Sequence, residues 1–336
     1  MKKIINCPEN FVDETMEGII AAYGDRVRLL NGDKRVLLSA YPVRDGKVGI
    51  VTAGGSGHLP MFLGYVGKGL LDGCAVGNVF ASPSAKRMAD MIQACEHGRG
   101  VLCLYGNYGG DNLNFEMACE TVEMENGVQT KMVRVRDDVA SASRENAMRR
   151  RGVAGMVYAF KIAGAAADEG RDLLGVADAA EKALANLRTM GVALSPCIVP
   201  EVGRPTFSIR EDEIEIGMGI HGEPGIEVRK MMTANEVADV IVAKILEDLP
   251  IATGRRVSVM VNGLGATPKE ELLIVYRRVH QILSEKGITP IIPYIGEFAT
   301  SMEMAGLSVT IFQLDDELER LLRTPASTPF FTNENL

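Results

Sequence analysis

Residues 47–58 read KVGIVTAGGSGH, an apolar and β-branched run that stops at a glycine-rich loop. Residues 100–111 repeat this pattern, because the run GVLCLY is followed by GNYGGD. A short apolar run bounded by glycines is typical of a buried strand that ends in a tight loop. The two stretches therefore predict two buried strands, each followed by a loop whose backbone can be approached closely.

Strand-like and helix-like segments alternate along the rest of the chain. Apolar strand patterns occupy residues 130–135, 191–199, 213–218, 256–262, 289–294 and 307–314. Helical periodicity occupies residues 84–96, 113–125, 153–168, 173–190, 234–249 and 268–286. This alternation predicts an α/β fold with a mostly parallel or mixed sheet covered by helices. Ligands of such folds bind beyond the carboxyl ends of strands, so the two glycine loops are the predicted site.

The helical region 153–190 separates two strand-rich halves of the chain. With 336 residues, the chain also exceeds the size at which a single hydrophobic core usually stops growing. We therefore predict two domains with a boundary near residue 190.

Composition and charge exclude several classes of function. The formal net charge of −8 gives no general basic field, which argues against a nucleic-acid partner. The one basic run, Arg149–Arg151, is predicted to be a solvated loop or a phosphate-facing turn. No apolar run reaches the roughly 18 residues of a transmembrane helix, and residues 1–11 lack the apolar segment of a secretory signal. A cytoplasmic protein without a membrane partner is expected.

The cysteines show neither C-x-x-C spacing nor the density of a disulfide framework. They are Cys7, Cys74, Cys95, Cys103, Cys119 and Cys197. Most lie in apolar stretches, so we expect buried thiols in a reducing compartment. Metal binding through cysteine is not expected, and the sequence predicts no metal site.

Two of the four histidines are flanked by glycines. His97 follows a helical stretch, where a cation suits the helix C-terminus, and His280 lies on a solvated helical face. His58 ends the first glycine loop and His221 lies within GMGIHGEPG, residues 217–225. Flanking glycines allow a ligand to approach. A structural loop histidine remains an alternative at each of these two positions.

Asp111 closes the second glycine loop, at the start of a predicted helix. Aspartate commonly caps helix N-termini, so capping is an alternative to catalysis there, and the two roles are compatible. The chain contains neither G-x-x-x-x-G-K-[ST] nor G-x-G-x-x-G. A glycine-rich α/β protein thus offers two histidines and an aspartate, but no evident place for ATP.

Six motifs occur in order between about Asn10 and Arg323. They are AGGSGH at residues 53–58, GNVFASPS at 77–84, NYGGD at 107–111 continuing to Asn114 and Phe115, RGVAG at 151–155, LSPC at 194–197 and GMGIHGEPG at 217–225. With these motifs the chain resembles the dihydroxyacetone-binding subunit, or K subunit, of dihydroxyacetone (glycerone) kinases. One motif alone is weak evidence, whereas several in order over one chain are strong evidence, and the match as a whole runs nearly end to end.

The resemblance implies a kinase subunit that holds its ketose covalently. His221 matches the histidine that adds to the substrate carbonyl as a hemiaminal, and His58 and Asp111 match the pair that activates the hydroxyl. The substrate-binding positions implied in this way are Gly55, Ser56, Gly57, His58, Gly106 and Asp111. The implied fold is two α/β domains, residues 8–190 and 191–330, each with a mixed sheet flanked by helices, in a homodimer.

The resemblance also implies a partner for the phosphoryl group. K subunits carry the ketose only, and a nucleotide-binding L-type subunit carries ATP, or ADP that an M-type phospho-carrier of the phosphotransferase system rephosphorylates. No cofactor is therefore expected on this chain, and magnesium is expected with the partner's nucleotide.

Two positions depart from the family pattern. Leu59 stands where a glutamate is usual, and Gly106 stands where a lysine is usual. Loss of the lysine removes a cation and is expected to leave space for a four-carbon ketose such as erythrulose. It also keeps open a second class of function, a ketose-sensing co-activator of transcription without turnover.

Overall fold

A computed structural model of the chain describes residues 2–334. The strands are β1 (Val27–Leu30), β2 (Asp33–Ser39), β3 (Lys47–Ser56), β4 (Gly73–Val79), β5 (Gly98–Gly106), β6 (Thr130–Val135), β7 (Leu187–Ser195), β8 (Glu213–Ile216), β9 (Glu227–Lys230), β10 (Arg256–Gly263), β11 (Thr289–Gly296), β12 (Ala305–Leu314), β13 (Ala326–Ser327) and β14 (Thr332–Asn333). The helices are α1 (Phe11–Tyr23), α2 (Ala85–Ala94), α3 (Gly109–Asn126), α4 (Met156–Asp168), α5 (Leu173–Ala185), α6 (Ala234–Asp248), α7 (Lys269–Glu285) and α8 (Asp316–Arg323).

The chain forms two compact units, the first of which comprises the chain up to Val135, Met156–Lys182 and the chain from Arg320 onward. Its six-stranded sheet has the order β1-β2-β4-β3-β5-β6. The neighbours β4, β3, β5 and β6 pair in parallel. β2 pairs antiparallel with both β1 and β4. β3 is buried at every position, as expected of a parallel strand covered by helices. Because β3 and β5 are parallel neighbours, their carboxyl ends lie at the same edge of the sheet.

The second unit comprises Arg136–Gly155 and Ala183–Glu319. Its six-stranded sheet has the order β11-β10-β12-β7-β8-β9, in which β10 and β11 are parallel and the other pairs are antiparallel. The apolar faces of α6 and α7 pack on this sheet in one hydrophobic core. The predicted α/β class with helix-flanked mixed sheets is confirmed.

The two units do not follow the single boundary predicted near residue 190. Residues 136–155 group with the second unit, where Thr189 N donates to Asp137 O at 2.9 Å. The C-terminal segment groups with the first unit, where Lys161 Nζ donates to Leu321 O at 2.8 Å. Both segments contact residues that are far away in the chain, so composition along the chain did not reveal these assignments.

The sequence predicts that most cysteines are buried and that no helix crosses a membrane. Burial was expected of most cysteines and is confirmed for all except Cys7, which is half-buried. Within residues 2–334, none of the helices combines the length and apolarity needed to cross a membrane.

The basic run predicted to be solvated is largely buried. Arg149 is exposed, but Arg150 is 1% exposed and donates through both terminal nitrogens to Asp248, at 2.9 and 2.5 Å. Arg188 Nε donates to the same carboxylate at 2.5 Å. The prediction is therefore wrong for Arg150, because a carboxylate shared between two guanidinium groups compensates for burial of the charge.

Replacing Asp248 with asparagine is expected to destabilise the fold by about 3–5 kcal/mol at neutral pH, because it leaves the buried Arg150 without its counter-charge. Burial acts to raise the pKa of Asp248, but hydrogen bonds from Arg150 and Arg188 lower it from 3.8 to about 2. A lowered pKa contributes stability that is present above the unfolded value and is lost as pH falls from about 4 to about 2. Urea unfolding of the wild type and of Asp248→Asn across this pH range measures the effect. If the difference between their free energies of unfolding did not become smaller as the pH falls, the prediction would be contradicted.

Candidate functional site

The end of β3 and the loop that follows it are shaped by contacts that only glycine allows. A Cβ at Gly54 would lie 2.3 Å from the ring of Phe62, and one at Gly55 would lie 2.7 Å from Ala81 N. Ser56 Oγ, at the end of β3, donates to Gly77 O of β4 at 2.8 Å, which ties the ends of these two strands together. The glycines therefore let the end of β3 approach the turn at Phe80 and Ala81 at the carboxyl edge of the sheet.

His58 lies at the end of this loop and is 1% exposed. Its imidazole stacks on Phe80, with ring centroids 4.8 Å apart, and meets Phe62 edge-on at 6.0 Å. Both phenylalanines have positive φ, 60° for Phe80 and 67° for Phe62, a strained backbone conformation for a bulky residue. The chain thus holds two aromatic rings in strained positions against His58, which fixes the orientation of the imidazole.

Asp111 follows β5, the parallel neighbour of β3. It is the third residue of α3 and is 6% exposed. Tyr108, not Asp111, occupies the N-cap position, and it makes no side-chain capping hydrogen bond. The capping alternative is therefore wrong in its strict form. A carboxylate in the first turn is still stabilised by the helix dipole, which suits a base that must stay ionised.

Gly106 does not open onto the space expected from loss of the family lysine. A Cβ at this position would lie 3.1 Å from a ring carbon of Tyr108 and 3.2 Å from Met156 Sδ. These two side chains already occupy the volume in which a longer side chain would begin. The expectation of vacated space is wrong as far as the surroundings of the Cβ are concerned.

His221 belongs to the second unit, on the loop that follows β8. Its side chain is 22% exposed, and Gly217 and Gly222 on either side have φ of 82°. Glu223 binds it twice: Oε1 lies 2.7 Å from His221 Nδ1, and Oε2 accepts the His221 backbone N–H at 2.9 Å. The glycines let the loop fold back so that a residue two positions along chelates the histidine.

The charge of Glu223 decides which nitrogen of the His221 imidazole carries a proton. Burial acts to raise the pKa of Glu223, but hydrogen bonds and electrostatic attraction from His221 lower it to about 2. At neutral pH the group is therefore a carboxylate, which accepts hydrogen bonds and cannot donate. Nδ1 is then the nitrogen that carries a proton, and in the neutral form of the ring the lone pair lies on Nε2.

The remaining two histidines lie on α7 and between α2 and β5. His280 is exposed on α7, as predicted, and its Nδ1 lies 3.4 Å from Ser284 Oγ. His97 follows α2, and its backbone carbonyl accepts from Gly46 N at 2.7 Å. Among residues 2–334, no group of three or more His, Cys, Asp or Glu side chains is arranged to hold a metal ion.

Sequence reasoning overlooked one residue at the second unit's loop. Glu223 was quoted within the motif of residues 217–225 but received no role. A carboxylate two positions after a glycine-flanked histidine was the available signal, because a tight loop can return it to the ring.

Comparison with known proteins agrees with this architecture. The Dak1 domain model matches residues 17–330. The chain is 45% identical to the PTS-dependent dihydroxyacetone kinase 2, dihydroxyacetone-binding subunit DhaK of Listeria innocua, over 98% of this chain and 99% of that protein. It is 44% identical to the L-erythrulose kinase of Pectobacterium atrosepticum, but it spans only 56% of that protein's length.

A solved structure described as the dihydroxyacetone kinase operon co-activator Dha-DhaQ has the same fold. Its TM-score is 0.88 at 29% identity, over 96% of this chain and 98% of that chain. Fold and site together define an α/β protein with histidines on glycine-rich loops. The chain belongs to the Dak1 domain family, since the family model covers most of its length.

Proposed function

We propose that this chain is the ketose-binding subunit of a dihydroxyacetone-type kinase, a phosphotransferase with an alcohol group as acceptor. The near full-length likeness to a dihydroxyacetone-binding subunit supports the class of function. The observation that carries the chemistry is the contact of His221 Nδ1 with Glu223, at 2.7 Å. It leaves Nε2 as a nucleophilic nitrogen on a loop where glycines admit a ligand.

Nε2 of His221 adds to the carbonyl carbon of the ketose in this proposal. The new N–C bond forms as the carbonyl π bond opens onto oxygen, and the imidazole proton on Nδ1 is formally transferred to that oxygen, giving a neutral hemiaminal. Glu223 stabilises the positive charge that the ring carries between these two events. Glycerol has no carbonyl, so the bond itself excludes it, which hydroxyl recognition alone would achieve poorly.

Asp111 then accepts the proton of the terminal hydroxyl while that oxygen attacks the phosphoryl group, and His58 hydrogen-bonds to the same hydroxyl. The loop of Gly55, Ser56 and Gly57, with Gly106, lines the substrate. A partner supplies the phosphoryl group: an L-type subunit with ATP, or with ADP that a phospho-carrier rephosphorylates, each with magnesium. Positioning in line supplies much of the rate in such transfers. We further propose a cytoplasmic homodimer, on the family resemblance.

The preferred ketose can be measured by calorimetry with dihydroxyacetone, both erythrulose enantiomers and glycerol. We expect ketoses to bind and glycerol to give no signal, because only the ketoses form the bond. The relatives include both a dihydroxyacetone-binding subunit and an erythrulose kinase at nearly equal identity. Tyr108 and Met156 crowd Gly106, so a tetrose must fit beside them. Turnover that strongly favours dihydroxyacetone over both erythruloses would contradict the hypothesis of a four-carbon substrate.

A co-activator is the second candidate function, because the co-activator structure shares the fold. Such a protein binds ketose without phosphorylating it. The presence of both His58 and Asp111, which follow the adjacent parallel strands β3 and β5, favours the kinase. The discriminating assay mixes this chain with nucleotide-bearing L-type proteins and ketose: binding without turnover in every combination would support the co-activator.

A further inference from the structure

Arg151 lies beside the Glu223–His221 pair in the second unit and has no role in the mechanism above. It belongs to the RGVAG motif, and its side chain is 13% exposed. Nε donates to Asp138 Oδ2 at 2.9 Å and Nη2 donates to Gly217 O at 3.1 Å. The guanidinium is thus held by a buried carboxylate and by the residue that begins the His221 loop.

The third nitrogen of this guanidinium faces Glu223. Arg151 Nη1 lies 3.9 Å from Glu223 Oε2, the same oxygen that accepts the His221 backbone N–H. The positive charge attracts Oε2, while Oε1 of the same carboxylate is directed at Nδ1. A planar guanidinium fixed at two other points suits this task, because a flexible ammonium would not define one orientation.

Gly219 provides independent evidence that this arrangement is built into the loop. A Cβ at Gly219 would lie 2.1 Å from Glu223 Oε2 and 2.5 Å from Arg151 Nη1. The carboxylate and the guanidinium therefore fill the space that any other residue type would need. Both contacts involve the ends of side chains, so a methyl group there would displace them and leave the backbone in place.

We propose that Arg151 is a positioning residue for His221: through Glu223 it sets which imidazole nitrogen is the nucleophile. Asp138, which is 2% exposed, orients Arg151 in turn. Removal of Arg151 lets the Glu223 carboxylate rotate away from Nδ1, so the imidazole redistributes its proton between the two nitrogens. The consequence for catalysis rests on the proposed function, whereas the consequence for the proton does not.

The proton position can be read in the free protein. Long-range ¹H–¹⁵N correlations report the tautomer of each histidine, and the chain has only four to assign. The spectra are recorded at about pH 8, above the ordinary histidine pKa of about 6.5. We expect His221 of the wild type to show the Nδ1–H form. Arg151→Met should move it toward a mixture, and Glu223→Ala should mark the limit without the carboxylate.

Two further variants separate positioning from folding. Gly219→Ala keeps both charged groups and displaces them, so it should shift the His221 tautomer as Arg151→Met does. Arg150→Lys changes the neighbouring buried arginine, which pairs with Asp248 instead, and should leave the tautomer unchanged while lowering stability. If Arg151→Met does not fold, Gly219→Ala and Arg151→Lys carry the test. An unchanged His221 tautomer in folded Gly219→Ala and Arg151 variants would overturn the inference.

Ketose binding provides the functional reading. Loss of a residue that orients a reactive group through another residue costs about 10–100-fold at metal sites, and we expect a similar loss of ketose affinity in Arg151→Met. KM should rise with little change in kcat, because transfer from the bound ketose depends on Asp111. If the tautomer shifts while ketose affinity stays unchanged, Arg151 positions the imidazole as inferred and His221 is not the nucleophile. In that case the proposed function would be contradicted, whereas the inference about Arg151 would stand.

Discussion

Replacing His221 with alanine is expected to abolish covalent ketose binding. Without Nε2 no hemiaminal can form, and the ketose is left with the hydroxyl contacts that a polyol also makes. We expect ketose affinity to fall by at least about 10²-fold, roughly 3 kcal/mol at 1.4 kcal/mol per tenfold change. Affinity for glycerol, weak in both proteins, should hardly change. Calorimetry of both proteins with dihydroxyacetone, both erythruloses and glycerol measures the contrast directly.

His280→Ala is the matched control for this experiment. His280 lies exposed on α7 in the same unit as His221, so its loss removes an imidazole without touching the loop of residues 217–225. Ketose binding that survives in His221→Ala, or that falls equally in His280→Ala, would remove the carbonyl-capture mechanism. Intact-protein mass measurement offers a second reading, because the adduct adds the whole mass of the ketose with no loss of water.

The strands that frame the candidate site were predictable because both are buried. β3 and β5 read as continuous apolar runs, and glycines mark where each ends. β1, β2, β4 and α1 were not predicted. β1 and β2 are only partly buried and α1 is mildly amphipathic, which leaves a weaker pattern, whereas β4 is largely buried but its short run GCAVGNV is interrupted by glycines. The predicted helix 173–190 ends at Ala185 instead, and Leu187–Ser195 forms β7. Its pairing with β12, more than a hundred residues later, overrides the helical periodicity.

Some residues of the candidate site could be found from their neighbours in the sequence, whereas others depend on contacts that form only in the folded chain. His58, Asp111 and His221 stood out because glycines surround them, which is a local property of the sequence; their roles stay predictions. Glu223 and Arg151 were quoted within motifs, but neither received a role at the site. The role of Arg151 depends on contacts with Asp138 and Gly217, and only the folded chain brings those groups to one guanidinium.

Gly106 shows how a family comparison can mislead about space. Reading a missing lysine as an opening assumes that its neighbours stay where they are in relatives. Here the ring of Tyr108, two residues further along, and Sδ of Met156 in α4 both lie within 3.2 Å of the position that a Cβ at Gly106 would take. Whether a side chain leaves a gap is therefore decided by packing between distant segments.

Replacing Asp111 with alanine is expected to separate binding from transfer. The ketose should still bind through His221, whereas phosphorylation should slow by about 10²–10⁴-fold, the usual contribution of a positioned acid–base group. Asp111→Asn sharpens the test, because asparagine keeps the shape and the first-turn position but cannot take up a proton. Both variants are assayed for ketose binding by calorimetry and for turnover with a nucleotide-bearing partner. Normal turnover in Asp111→Asn would contradict the role of Asp111 as the base and leave its carboxylate only the favourable interaction with the helix dipole.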